Sequence, residues 1–95
     1  IKPESARNYL FSYGGNDAAA PYEAFDDGTT TYFRYKDPNH PMPRVASVDE
    51  AGHETPFAVF SNNGYFAVNT VAPVLLMRSG GDTVFVYNES LAPHP

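Results

Sequence analysis

The chain has 95 residues, a formal net charge of −5, and neither Cys nor Trp. That length suits a single domain. The acidic balance argues against a nucleic-acid binder, which needs a basic face to neutralise phosphates. Without Cys there is no disulfide, no thiolate nucleophile and no thiolate metal ligand.

The chain opens on Ile1-Lys2-Pro3, which reads as an excised start and not as a signal peptide. The expectation is a single domain over 1–95 with its core at about 8–88, cut from the C-terminal end of a longer protein. Nine Pro and seven Gly punctuate the sequence, leaving little room for an amphipathic helix. Asn8 to Tyr13 is the first expected strand, with Tyr9, Phe11 and Tyr13 on one face and Leu10 and Ser12 on the other. Gly14-Gly15-Asn16-Asp17 is expected to end it, and Asp17 to Ala20 to form one helical turn, stopped by Pro21. Tyr22 to Phe25 is a short second strand. Thr29 to Tyr35 is a third, its threonines and aromatics suiting a pleated surface. Thr31, Phe33 and Tyr35 share one face there, and Thr30, Tyr32 and Arg34 the other.

Lys36 to Pro43 is read as loop. Arg44 to Val48 is a strand that turns at Asp49-Glu50-Ala51-Gly52 and returns over Glu54 to Phe60. Asn62-Asn63-Gly64 is the strongest hairpin signal, because Asn-Gly suits a turn with positive φ at both central residues. Tyr65 to Thr70 follows, then a hairpin of Val74 to Ser79 and Thr83 to Tyr87 around Gly80-Gly81-Asp82. The tail, 92–95, is expected to be disordered. No apolar run approaches the ~20 residues of a membrane helix. About eight short antiparallel strands with little or no helix make this an all-β chain, a small β-sandwich.

The candidate chemistry is sparse. Asp26-Asp27-Gly28 could suggest a metal site, but adjacent side chains on an extended chain point to opposite sides. Its plain reading is a corner, in which Asp carboxylates accept backbone N–H groups and Gly takes a positive φ. His40, His53 and His94 stand in turns or the tail without metal-ligand spacing. Ser61, Ser79 and Ser90 lack a nucleophile-elbow pattern. Gly80-Gly81-Asp82 precedes a strand, so no helix dipole is there to hold a phosphate. Asn88-Glu89-Ser90 fits the glycosylation sequon. Nothing asks for catalysis, a cofactor or a metal, and the expectation is not an enzyme. The Tyr-rich first strand is the one feature that suggests binding. If it forms a sheet edge, an extended peptide could add to it.

"NYLFSYGG", "PYEAFDDGTTTYFRY", "MPRVASVDEAGHETPFAVFSNNGYFAVNTV" and "LLMRSGGDTVFVYN" follow one another in an order that resembles the C-terminal domain of the CagX/TrbG/TraO family. That family is the ninth VirB-type component of bacterial type IV secretion systems. Phe25-Asp26-Asp27-Gly28 with Thr31-Tyr32-Phe33 carries the resemblance most specifically, supported by Leu76, Arg78 and Gly80 and by Val86-Tyr87-Asn88. The central hairpin, Phe57 to Asn69, fits least well. Some relatives join a partner through a disulfide, which a chain without Cys cannot do.

The resemblance implies a β-sandwich in the periplasm, associated with the outer membrane as part of a core complex. It implies docking of a segment of a small outer-membrane lipoprotein (the seventh VirB-type component), packing against the channel-forming tenth component, and a ring of copies. Tyr9, Phe11, Tyr13, Tyr32 and Phe33 are the expected contacts, and Asp26, Asp27 and Gly28 a structural turn. Two other readings stand beside it. One is a carbohydrate-binding or hydrolytic sandwich, with rings for stacking and Asp49, Glu50 and Glu54 as possible paired acids. The other is a ring subunit that only self-associates.

Overall fold

Alternation of apolar and polar side chains decides which strands share a core. A computed structural model describes residues 3–91 and places nine strands in two antiparallel sheets. The strands are β1 (Phe11–Gly15), β2 (Glu23–Asp26), β3 (Thr31–Arg34), β4 (Arg44–Val48), β5 (Glu54–Phe57), β6 (Phe60–Asn62), β7 (Tyr65–Val68), β8 (Val74–Ser79) and β9 (Asp82–Asn88). One sheet has five strands in the order β1-β9-β8-β4-β5, the other four in the order β2-β3-β7-β6. Among the described residues helix is confined to two short 3-10 turns, Glu4–Ala6 and Asp17–Ala19. The expectation for residues 92–95 lies outside the described residues.

The core lies between the sheets. Ala24, Phe33 and Val68 from the four-stranded sheet meet Val45, Leu75, Met77, Val84 and Val86 from the five-stranded one. Burying a side chain such as Phe33 completely contributes about 1.5–3 kcal/mol through water release. Ala19 plugs one end of this core, and its carbonyl accepts from the Tyr35 hydroxyl at 2.9 Å. The β6–β7 hairpin turns through Asn63 and Gly64, at φ 52° and 83°. That is the positive pair the Asn-Gly sequence predicts.

Three elements differ from the sequence reading. The expected strand over Glu54 to Phe60 is two strands. β5 pairs with β4 through Phe57, and the chain then crosses to the other sheet, where β6 pairs with β7. A local pattern of apolar residues cannot register a change of sheet. Gly14 and Gly15 belong to β1 instead of ending it. The Tyr87 ring lies 3.3 Å from where a Gly14 Cβ would stand, so it covers the bare backbone. The first strand also begins later than expected, at Phe11, because the preceding residues pair with the other sheet.

Candidate docking surface

The N-terminal segment reaches both sheets within four residues. The Asn8 N–H donates to the Asp26 carbonyl at 2.8 Å, and the Asp26 N–H donates back to the Asn8 carbonyl at 3.1 Å. This single bridge extends the free edge of β2. The Phe11 N–H then donates to the Tyr9 carbonyl at 2.9 Å, an i→i+2 turn centred on Leu10. The turn throws Leu10 outward, 63% exposed, and delivers Phe11 to β9 opposite Asn88.

A buried polar cluster holds this crossing. The Asp26 carboxylate, 6% exposed, accepts from Asn8 Nδ2 at 2.9 Å and from Asn88 Nδ2 at 3.0 Å. Its other oxygen accepts from the Gly28 N–H at 3.0 Å. Asn8 Nδ2 also stands 2.9 Å from Asn88 Oδ1, which in turn accepts from the Ser90 hydroxyl at 2.8 Å. Asp27 caps the turn itself, accepting from the Thr29 and Thr30 N–H groups at 3.0 and 2.9 Å, while Gly28 sits at φ 96°. Asp26-Asp27-Gly28 is thus a corner, and its first carboxylate also joins β2, β9 and the N-terminal segment. Asn88, the sequon residue, is 1% exposed and occupied by this network. Among the described residues no buried side-chain nitrogen or oxygen lacks a partner, as burial of polar groups requires.

Beside this cluster lies β1, the terminal strand of its sheet, paired to β9 on one side only. Tyr13 lies along it, partly exposed. Partial burial pushes its phenol pKa up, and the nearby Glu23 carboxylate adds to the effect. Beside it on the same strand the Ser12 hydroxyl meets the Glu89 carboxylate.

The outer face of the four-stranded sheet is aromatic. Phe25 and Tyr32, cross-strand partners, stack with centroids 4.9 Å apart, and the Tyr65 ring meets Phe25 edge-on at 5.3 Å. The N-terminal segment closes over them. The Arg7 guanidinium sits 4.5 Å above the Phe25 ring and the Tyr9 ring packs 5.3 Å from it. Arg7 also donates to the Tyr9 hydroxyl at 3.0 Å, which with nearby charges raises its pKa. Further along, Arg34 lies 5.3 Å from the Tyr65 centroid and 5.8 Å from that of Tyr22, and pairs with Glu23 at 2.8 Å.

The five residues expected to bind therefore separate. Phe11 and Tyr13 share β1, with Phe11 packed against the core. Tyr9 precedes the strand and joins Phe25 on the opposite sheet's outer face, so the three do not form one stripe. Tyr32 is covered in that outer cluster, and Phe33 is fully buried between the sheets. The sequence reading missed Arg7, Asn8, Leu10, Phe25, Tyr65 and Asn88. Only the aromatics carried a local signal; the Asn8–Asn88 bond spans 80 positions. Among the described residues, no three His, Asp or Glu side chains gather as metal ligands.

A family profile described as CagX, conjugal transfer protein, matches residues 2–89. The type IV secretion system protein PtlF of Bordetella pertussis is 35% identical over 85 residues, 88% of this chain. PtlF homologs of Bordetella parapertussis and Bordetella bronchiseptica match to the same extent. The chain spans 31% of the length of these relatives. A profile match over nearly the whole chain, together with this identity, means that the chain belongs to the CagX family of conjugal transfer proteins.

Proposed function

We propose that this domain is an assembly module, not an enzyme, of a type IV secretion outer-membrane core complex. In this reading it works in the periplasm, at the outer membrane. It docks a segment of a small outer-membrane lipoprotein, contacts the channel-forming component, and joins a ring of its own copies. The lipid-anchored partner tethers it, so it needs no span of its own.

One observation carries the docking reading: β1 is a sheet edge with a partner on one side, flanked by the exposed Leu10 and the partly exposed Tyr9 and Tyr13. An unpaired edge offers main-chain donors and acceptors to an added strand, and alternate side chains supply anchors. Tyr9, Leu10 and Tyr13 are the proposed contacts. Phe11 ties β1 to the core in which Phe33 is buried, and Tyr32 stands in the aromatic cluster that Tyr9 joins.

The test is a titration of the 15N-labelled domain with a synthetic peptide from the lipoprotein encoded beside it. Saturable shifts concentrated on residues 9 to 15, with slowed amide exchange there, are expected. Tyr13→Ala should weaken binding about tenfold or more if its ring is an anchor. Binding that leaves residues 9 to 15 unshifted would overturn the assignment of the edge. No binding at all by the folded domain would remove the docking role.

A further inference from the structure

Arg44 and Arg78 face each other across β4 and β8, and the other described cations lie around the second sheet. Among the described residues Arg7, Arg34 and Lys36 border the outer aromatic face of the four-stranded sheet. Tyr22 stands between two of them, 59% exposed, with Arg34 5.8 Å and Lys36 Nζ 5.2 Å from its ring centroid. An exposed ring flanked by cations gains little from its own core, which makes it notable as a contact surface.

Arg34 is held in place before any ligand arrives. Glu23 pairs with one of its nitrogens at 2.8 Å and itself accepts from the Tyr65 hydroxyl at 3.1 Å, and two rings flank the guanidinium. A fixed planar guanidinium loses less freedom on meeting a carboxylate than a free one. Lys36 is exposed. Tyr35, between them, points the other way and stacks on His40 at 3.6 Å. Arg34, the last residue of β3, and Lys36, at the bend just after it, both reach the Tyr22 ring and so face one side at an i, i+2 interval of roughly 6.5–7 Å. Carboxylates at alternate positions of an extended peptide have the same interval.

We propose that this strip, Tyr22, Arg34 and Lys36 with Arg7 and Tyr65 beyond, docks an acidic peptide segment held extended, with carboxylates at alternate positions. Arg34 ends β3, Lys36 follows it by two residues, and Arg7 stands on the N-terminal segment over Phe25. That spacing suits successive side chains of a peptide better than the single convergent point a phosphate needs. Glu23 is internal to the strip and fixes Arg34; Asp37, next to Lys36, sets a limit on how far the acidic segment can run. Tyr22, Arg34 and Lys36 lie away from the β1 edge, and the strip adjoins that edge only where Arg7 donates to the Tyr9 hydroxyl.

The test uses two acetylated, amidated octapeptides, alternating Glu-Thr and alternating Gln-Thr, titrated into the 15N-labelled domain. The Glu peptide should give saturable shifts at Tyr22, Glu23, Arg34 and Lys36, and the Gln peptide none. Doubling the salt should weaken binding several-fold. Lys36→Glu, on an exposed side chain, should lower affinity tenfold or more with an unchanged melting temperature. Failure of the Glu peptide to bind, equal binding of the Gln peptide, or indifference to Lys36→Glu would each overturn the proposal. So would a phosphorylated sugar that shifts the same residues when the Glu peptide does not. A null result with the lipoprotein peptide would bear only on the β1 edge, because these probes and that peptide read different residues.

Discussion

Replacing Asp26 with alanine removes one carboxylate that three donors share: the amides of Asn8 and Asn88 and the Gly28 N–H. A hydrogen bond to a charged group contributes about 1.5–3 kcal/mol, and a buried donor left bare costs about 1–3 kcal/mol. The three contributions do not simply add. Asn8 Nδ2 keeps Asn88 Oδ1 and Ser90 Oγ within 2.9 and 3.0 Å, so its loss is softened. The Gly28 N–H and the second Asn88 donor have no such substitute among these contacts. A net loss of about 3 kcal/mol follows, a large part of the ~5–15 kcal/mol that stabilises a typical domain. In urea, with a slope of about 1–1.5 kcal/mol/M for a chain of this size, the midpoint should fall by about 2–3 M. Asp26→Asn should keep the Gly28 bond but turn an NH2 group toward two other NH2 groups, and should cost at least half as much. In a double-mutant cycle with Asn88→Ala, the coupling should exceed about 1 kcal/mol, as for residues in one network. A midpoint shift below about 0.3 M for Asp26→Ala would show that the cluster does not hold the sheets together, and the reasoning would fail.

Gly15 sits at φ 117°, and a Cβ there would stand 2.9 Å from the Thr83 carbonyl oxygen. Gly15→Ala should therefore cost about 1–3 kcal/mol in urea unfolding, and an unchanged midpoint would contradict the strain. The Tyr35 phenol is pushed up to about 12, chiefly by burial. The folded state then holds a proton that the unfolded chain releases near pH 10, so this stability is intact below pH 10 and is lost as pH rises toward 12. Melting temperatures across that window should fall for the native chain and fall less for Tyr35→Phe; equal slopes would refute the assignment. Phe33→Ala should lose about 3–5 kcal/mol as a core cavity forms, while Tyr22→Ala should stay within about 0.5 kcal/mol. Comparable losses at the two positions in chemical denaturation would overturn the division between core and outer face.

The elements that follow from local chemistry were legible. Asn63-Gly64 specified its turn, and alternation along Thr31 to Arg34 put Phe33 and Tyr32 on opposite faces without telling which face is core. The sandwich followed from many short strands between turn signals. What could not be read depends on partners far along the chain. Tyr9 looks like a strand residue beside Phe11 and Tyr13, yet a turn at Leu10 moves it to the other sheet, and that turn exists because Asn8 finds Asp26 and Asn88. Asn88 looks like a sequon, because nothing local reveals its burial. Phe57 and Phe60 read as one strand, because sequence alternation is blind to which sheet a residue joins. The outer face suffered most. Arg34 is a common strand residue until Glu23, Tyr22 and Tyr65 surround it.

The pairing of β1 with β9 has a consequence for how the domain forms. Its first strand lies against its last, so the larger sheet stays incomplete until Asp82 to Asn88 is available. Contacts of such wide sequence separation must close a long loop before they return any stabilisation, which slows folding. An emerging chain would keep Phe11 and Tyr13 without their sheet neighbour until Val86 to Asn88 had appeared. A deletion of Val86 to Asn88 would take away the partners of Phe11, Ser12 and Tyr13, and with them the amide that clasps Asp26. The two ends of this domain therefore fold as one event.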